Sequence, residues 1–426
     1  MIANGTTANA IIKGGAGILT FSGTAANTFT GGVTVNAGTL VLTKSANVNA
    51  IAGGTLQIGI GTGSATVQLG ANEQLANTVN VDVRSSGTFN LANFSETIAA
   101  LTLQSDTAQA ASITTGTGTL TLGGDVTLNT TGTGATGATF TGNLNLGNAA
   151  RTFTVAKGSA SPTADLTISG VISSTTAASG AVVKTGAGIL TFSGTTANTY
   201  TGMTTVNAGE LDLNKSAGVL AVAGNLTIGD GTGGANSDIV KLLANGQIAT
   251  TAAVFVNGSS GKLDLNGFTQ TIASLADTGT VTANGSSVNL GAGALTVGDA
   301  TSTTFSGNIT GTGGSLVKNG AGTLSLGGTN TYTGTTTMNA GTISLNASAA
   351  FPTSGNLTML GGTFDIRGQS PTVNNIVFGD GVSTTATTLA DSGTVKGAIN
   401  LNGTISYYGT SARTFPASIV NTAIVL

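Results

Sequence analysis

The chain has 426 residues, of which only 7% are charged, against about 25% in an ordinary soluble domain. Its formal net charge is −3 and its 13 basic residues are scattered, so it lacks the basic footprint of a nucleic-acid-binding protein. It contains no Cys, His or Trp; the missing cysteine excludes disulfides, zinc–thiolate sites and thiol catalysis.

With 67 glycines and so few charges, the surface must be built from Thr, Ser, Asn and Gly. Val, Ile, Leu and Phe nevertheless alternate with polar residues throughout, which points to ordered strands and not to a flexible linker. No apolar run approaches the roughly 18 residues of a membrane-spanning helix, so no membrane insertion is expected. Met1 to Ala10 has neither a basic start nor an apolar stretch, and any signal peptide is expected to lie outside this chain.

The first recognisable element runs from Lys13 to Ala46, within a module spanning 12–46, and reads KGGAGILTFSGTAANTFTGGVTVNAGTLVLTKSA. Its Gly15-Ala16-Gly17 is followed by strand-like Ile18, so it reads as a turn and not as a phosphate-binding loop, which would open a helix. A second module type, 87–103, follows with GTFNLANFSETIAAL, and strand-like stretches at Thr119 to Asn129 and Phe140 to Leu146 fill the gap after it.

The first element returns at 183–217 as KTGAGILTFSGTTANTYTGMTTVNAGELDLNKSA, matching at 26 of 34 positions. Next comes Gly229-Asp230-Gly231-Thr232-Gly233-Gly234, which is loosely similar to a calcium-binding β-roll turn. Its counterpart Gly59-Ile60-Gly61-Thr62 has no carboxylate, so Asp230, like Asp380, is read as a turn residue and not a ligand. The companion module returns at 261–277 as GKLDLNGFTQTIASL. The third copies occupy 317–349 (KNGAGTLSLGGTNTYTGTTTMNAGTISLNAS) and 362–378 (GTFDIRGQSPTVNNI).

Substitutions among the three copies assign faces. Leu19, Phe21, Val35, Leu40 and Leu42 become Leu190, Phe192, Val206, Leu211 and Leu213, then Leu324, Leu326, Met338, Ile343 and Leu345, so these should point inward. Val41 becomes Asp212 and Ser344, while Thr20 becomes Thr191 and Ser325; these should face water. The third copy lacks the two residues present as Ala25-Ala26 and Thr196-Ala197, which marks an exposed loop.

Identical text recurring 171 and then 134 positions later fits stacked coils, each burying its apolar face against the next. The expectation is one continuous, elongated all-β solenoid over 1–426, with about 17 to 21 coils of roughly 20 to 25 residues.

These residues carry a resemblance. GAGILTFSGTAANTFTGGVTVNAGTLVL and its two later copies resemble the autotransporter-associated β-strand repeat, also called the passenger-associated transport repeat; GKLDLNGFTQTIASL looks like its usual companion. The resemblance implies a right-handed parallel β-helix on the bacterial surface or outside the cell. The family's C-terminal translocator would be a membrane β-barrel, and the chain closes at Ala423-Ile424-Val425-Leu426 without one. It is therefore expected to be a passenger piece, a processed form or a member exported otherwise.

Candidate sites each have a structural reading. Asn90, Asp264 and Asp365 share one module position, but the alternation Leu263-Asp264-Leu265 makes Asp264 a polar strand residue on the solvent face. Glu96, Gln270 and Pro371 share another position and no evident chemistry. Asn36, Asn207 and Asn339 lie in Asn-Ala-Gly, where asparagine can adopt left-handed backbone geometry at a turn or stack in a ladder. Phe29, Tyr200 and Tyr332 read as turn packing and not as a sugar-stacking surface.

The carboxylates are dispersed, so no catalytic, metal or cofactor site is assigned, and a β-helical carbohydrate-active enzyme is disfavoured. The expected role is an extracellular structural or adhesive scaffold whose partner is a host or matrix ligand. The alternative is a filament of copies joined through solenoid ends, because neither Met1 to Ile12 nor Arg413 to Leu426 reads as a cap.

Overall fold

The computed structural model describes residues 1–60, 63–106, 109–131, 137–158, 164–176, 179–277, 285–379, 385–408 and 418–421. Asp380, Arg413 and the closing Ala423 to Leu426 therefore lie outside the described residues. The fold is all-β, a parallel β-solenoid of about 16 turns, with a single short 3₁₀ turn, Ser348–Ala350, as helix among the described residues. The contacts divide the chain into two compact units, Met1–Ala223 and Gly224–Leu426.

In the first unit the strands alternate between two parallel sheets. One begins with Ile11–Lys13, Val33–Val35 and Thr55–Ile58; the other begins with Ile18–Gly23, Gly38–Lys44 and Ala65–Leu69. Along each sheet a strand pairs with the equivalent strand of the next coil, so equivalent residues stack in columns. One column runs Leu40, Val67, Phe89, Ile113, Phe140, Ile168, Phe192, Leu213, and each member is at most 2% exposed. Successive members are 27, 22, 24, 27, 28, 24 and 21 residues apart, so several coils exceed the expected 25 and there are fewer of them.

The second unit is built the same way from narrower sheets, one of which runs Gln270–Ile272, Ala294–Val297, Ser315–Lys318, Thr335–Met338, Asn356–Met359, Ile376–Phe378, Ile405–Tyr407. Its interior column Leu295, Leu316, Thr336, Leu357, Ile376 is wholly buried. Burying an aliphatic side chain in such a column contributes about 1.5–3 kcal/mol. Because a coil has no core of its own, that contribution exists only between neighbours.

The inward assignments hold except at Leu19. Leu190 and Leu324 are 0% and 1% exposed, whereas Leu19 is 37% exposed. Leu190 is flanked by Leu166 as well as Leu211, but Ile18–Gly23 is the outermost strand of its sheet and pairs only with Gly38–Lys44.

The outward assignments need a larger correction. Thr20 is exposed, and Val41 and Ser325 are half-buried, but Thr191, Asp212 and Ser344 are buried at 5%, 4% and 4% exposure. They do point away from the core, since they alternate with buried Leu190, Phe192, Leu211 and Leu213. Neighbouring strands are only about 4.8 Å apart, so a short side chain is covered by its ladder partners even on the outer face. Thr191 sits between Thr167 and Asp212 in this way.

Asn-Ala-Gly also differs from expectation. The left-handed residue is the glycine: Gly38, Gly209 and Gly341 have φ of 70°, 72° and 70°. A Cβ on Gly38 or Gly209 would lie 2.5 Å from a carbonyl oxygen of the preceding coil, so no other residue fits. Asn36, Asn207 and Asn339 instead donate their backbone N–H to the carbonyls of Lys13, Lys184 and Lys318, at 2.8, 2.9 and 2.9 Å, which passes the chain from one coil to the next.

Candidate functional site

The polar residues that recur between modules fall into two groups: those spent on holding coils together, and those left on the outer sheet faces. The shared position Asn90, Asp264 and Asp365 belongs to the first group. Each side chain accepts the backbone N–H two residues on, from Ala92 (2.8 Å), Asn266 (2.9 Å) and Arg367 (3.1 Å). Those three acceptor-bound residues have φ of 49°, 50° and 48°. The side-chain oxygen thus fixes a left-handed turn, a task for which Asn and Asp are interchangeable. Asp264 also meets the Lys262 ammonium at 2.9 Å and the Asn289 amide at 3.0 Å, while Asp365 accepts both the N–H and the hydroxyl of Ser392.

Asp230 is exposed and closes a similar turn on Thr232, accepting its N–H at 2.8 Å and its hydroxyl at 2.7 Å; those bonds hold its carboxyl below the usual range. Gly15 has a φ of 75° and leads into strand Ile18–Gly23, so the G-x-G pattern is a turn.

The position shared by Glu96 and Gln270 does carry chemistry, contrary to the sequence reading. Both side chains are buried and reach back to the preceding coil. Glu96 accepts N–H bonds from Gln74 (2.7 Å) and Leu75 (3.2 Å); Gln270 Oε1 accepts them from Gln247 (2.9 Å) and Ile248 (3.0 Å). Burial, with Glu73 nearby, pushes the Glu96 carboxyl up to about 8. Pro371 in the third copy cannot play this part.

A buried asparagine missed in the sequence does the same work in the other module. Asn27, Asn198 and Asn330 are at most 4% exposed. Each accepts a backbone N–H from the coil before, from Ile2, Ile172 and Ile309, and donates to a carbonyl of the coil after, on Ala50, Ala221 and Ala350. One carboxamide therefore ties three coils.

The aromatic position is wholly buried in all three copies. Tyr200 and Tyr332 bond through their hydroxyls to Thr204 (2.8 Å) and Thr336 (2.6 Å). In the first copy the pair is Phe29 and Val33, both buried, so the two hydroxyls are present together or absent together. An unpaired buried hydroxyl costs about 1–3 kcal/mol, which is a physical reason for the coupling.

Lysines are buried too. Lys13, Lys184 and Lys318 point inward and return their ammonium to turn carbonyls, as Lys184 does to Thr185, Gly186 and Ala208 at 3.0, 2.7 and 2.9 Å. Lys44 and Lys215 close the far end of the element. Lys215 donates to Gly170, Ser193 and Thr196 at 2.7, 3.0 and 2.8 Å, and Lys44 to Ser22 and Ala25 at 3.2 and 2.7 Å. Burial lowers the Lys215 ammonium to about 8. The third copy has Ala347 in place of this lysine, and it also lacks the two loop residues that supply the Ala25 and Thr196 carbonyls. Loop and lysine change as a unit.

What remains is the outer face. In the first unit, Thr39, Thr66, Thr88, Ser112, Thr139, Thr167 and Thr191 stack one per coil, with a second column two residues further along each strand. Neither column carries a charge until the coil of Asp212. Among the described residues no three carboxylates come together as a metal would need, and no helix is long and apolar enough to cross a membrane.

Comparison with known proteins fits this construction. The passenger-associated-transport-repeat family matches residues 11–42, 182–213 and 316–345, the three elements with the buried lysine and asparagine. A relative described as an adhesin BmaC autotransporter, from Brucella suis biovar 1, is 40% identical over 179 residues, covering 39% of this chain and 5% of the relative. The chain thus spans a small fraction of the length of the curated relative it matches, and no solved structure matches it significantly. Three stretches of the chain are thus similar to passenger-associated transport repeats, and part of it is similar to an autotransporter adhesin.

Proposed function

We propose that the chain serves at the bacterial surface as an adhesive scaffold, a solenoid that presents its outer sheet faces and turns to a host or matrix ligand. One observation carries this reading: the recurrent polar side chains are consumed by bonds within turns and between coils, so the outer faces hold the residues left for recognition. The similarity to an autotransporter adhesin supports it. The role is non-enzymatic, because the recurring carboxylates are turn acceptors.

The test is attachment. Beads coated with the purified chain, applied to immobilised host extracellular matrix, should adhere above the level of beads coated with an unrelated β-protein. Adhesion equal to that control would reject the reading.

A further inference from the structure

In three successive strands of the first unit, Ala138–Asn145, Leu166–Ser169 and Ile189–Gly194, two adjacent outward positions are hydroxyls. Thr139, Thr167 and Thr191 form one rank, and Thr141, Ser169 and Ser193 the other. The backbone sets the array: hydroxyls repeat about every 4.8 Å along the stack, and the ranks are about 6.7 Å apart.

These hydroxyls are loosely engaged. Thr139 reaches Ser112 of the preceding coil at 3.4 Å and Ser169 reaches Thr141 at 3.3 Å, beyond the 2.5–3.0 Å range of a good O–H···O bond. The Thr191 hydroxyl has no hydrogen-bond partner although the residue is only 5% exposed. That side chain is covered by its ladder partners Thr167 and Asp212, so a ligand would meet the array at the exposed Thr139 and Thr141 hydroxyls.

We propose that this double rank binds an extended, uncharged polysaccharide lying along the stack, one ring per coil. The proposal rests on the adhesive reading above and gives that reading a ligand class. An equatorially linked pyranose chain advances by close to one strand spacing per ring, so its hydroxyls meet protein hydroxyls coil after coil. Each hydroxyl both donates and accepts, which matches a ligand whose own groups do the same. The ranks carry no cation to pair with sulfate or uronate groups, which selects a neutral chain. They also carry no aromatic platform, so each ring contributes little and affinity grows by repetition along the chain.

The probe is a series of β-1,4-linked glucose oligosaccharides of increasing length, titrated calorimetrically against the purified full chain. Affinity is expected to rise with oligosaccharide length and to be insensitive to salt. Replacing Thr139, Thr141, Thr167 and Ser169 together with alanine should weaken it by at least about tenfold. Thr102→Ala with Thr127→Ala, on the other sheet, should leave it unchanged. Circular dichroism of each variant shows whether the fold is kept; if the quadruple variant fails to fold, Thr141→Lys, which obstructs the array from an exposed position, should abolish binding instead.

No binding at any length, unchanged affinity in a folded quadruple variant, or binding confined to heparin and lost in salt would overturn the proposal. Bead attachment to matrix separates this failure from that of the adhesive reading: beads that attach without competition by oligosaccharide refute the ligand class alone, and beads that do not attach refute adhesion itself.

Discussion

The Tyr200–Thr204 pair offers a quantitative test of the view that repeats encode matched buried contacts. Thr204→Val keeps the shape but leaves the phenol without a partner, for a cost of about 1–3 kcal/mol. Tyr200→Phe strands the Thr204 hydroxyl, for a similar cost. The double variant reproduces the Phe29 and Val33 pair of the first repeat, so it should be within about 1 kcal/mol of the parent, giving a coupling of about 1–6 kcal/mol. Solenoids open locally, so one melting midpoint is a poor measure. Hydrogen exchange of the buried amides of Leu190, Phe192 and Leu211 reports the affected coils directly. Strictly additive single effects would refute the pairing argument, and Tyr332 with Thr336 supplies an independent repeat of the experiment.

The other predictions concern charge and faces. The Glu96 carboxyl is raised to about 8 in the fold, so between about 4.5 and 8 the folded chain holds a proton that the unfolded chain has lost. Stability should fall as pH rises through that window, and Glu96→Gln, copying Gln270, should flatten the fall and add on the order of 3 kcal/mol at its upper end; a denaturation profile with unchanged slope would contradict this. For Lys215, lowered to about 8, the sign reverses: above that value the unfolded chain keeps a proton that the fold has released, so stability should rise toward the unfolded value of 10.5. Lys215→Ala should destabilise the second repeat by about 1–3 kcal/mol through orphaned carbonyls, and deleting Thr196 and Ala197 in the same chain should recover most of the loss, read by hydrogen exchange. Leu190→Asp should cost several kcal/mol and Thr141→Asp little, read by hydrogen exchange of the coils they sit in; equal losses would contradict the facing assignment. Thr191 is unsuited as the comparator, because an aspartate there would stack on Asp212.

Much of this fold was legible because a solenoid repeats its text. Where the three copies keep Leu or Phe, a column runs through the core; where length changes at Ala25-Ala26, there is an exposed loop. What escaped the sequence reading was context between coils. Leu19 has the same neighbours in sequence as Leu190, but no strand pairs on its outer side. Thr191 and Asp212 look like solvent residues along their own strands and are covered by residues about 21 to 24 positions away. The burial of the lysines was not read from the sequence, and some of their carbonyl partners, such as Ala208 for Lys184 and Gly170 for Lys215, lie in other coils. Two signals were present in the text: the hydroxyl pair that changes from Tyr–Thr to Phe–Val, and the lysine lost together with two loop residues. Both needed the copies to be compared position against position, and not each residue against its own strand.

The stacking of outward residues in register, one per coil, underlies every contact described above and can be measured as a distance. The chain has no native cysteine, so spin labels attach only where cysteines are introduced. Thr20, Thr141 and Asn214 are exposed members of one outward column, five coils and then three further coils apart. At about 4.8 Å per coil, double electron–electron resonance should give about 24 Å between labels at 20 and 141 and about 38 Å between labels at 20 and 214. Distances that do not grow in proportion to coil number would contradict the account.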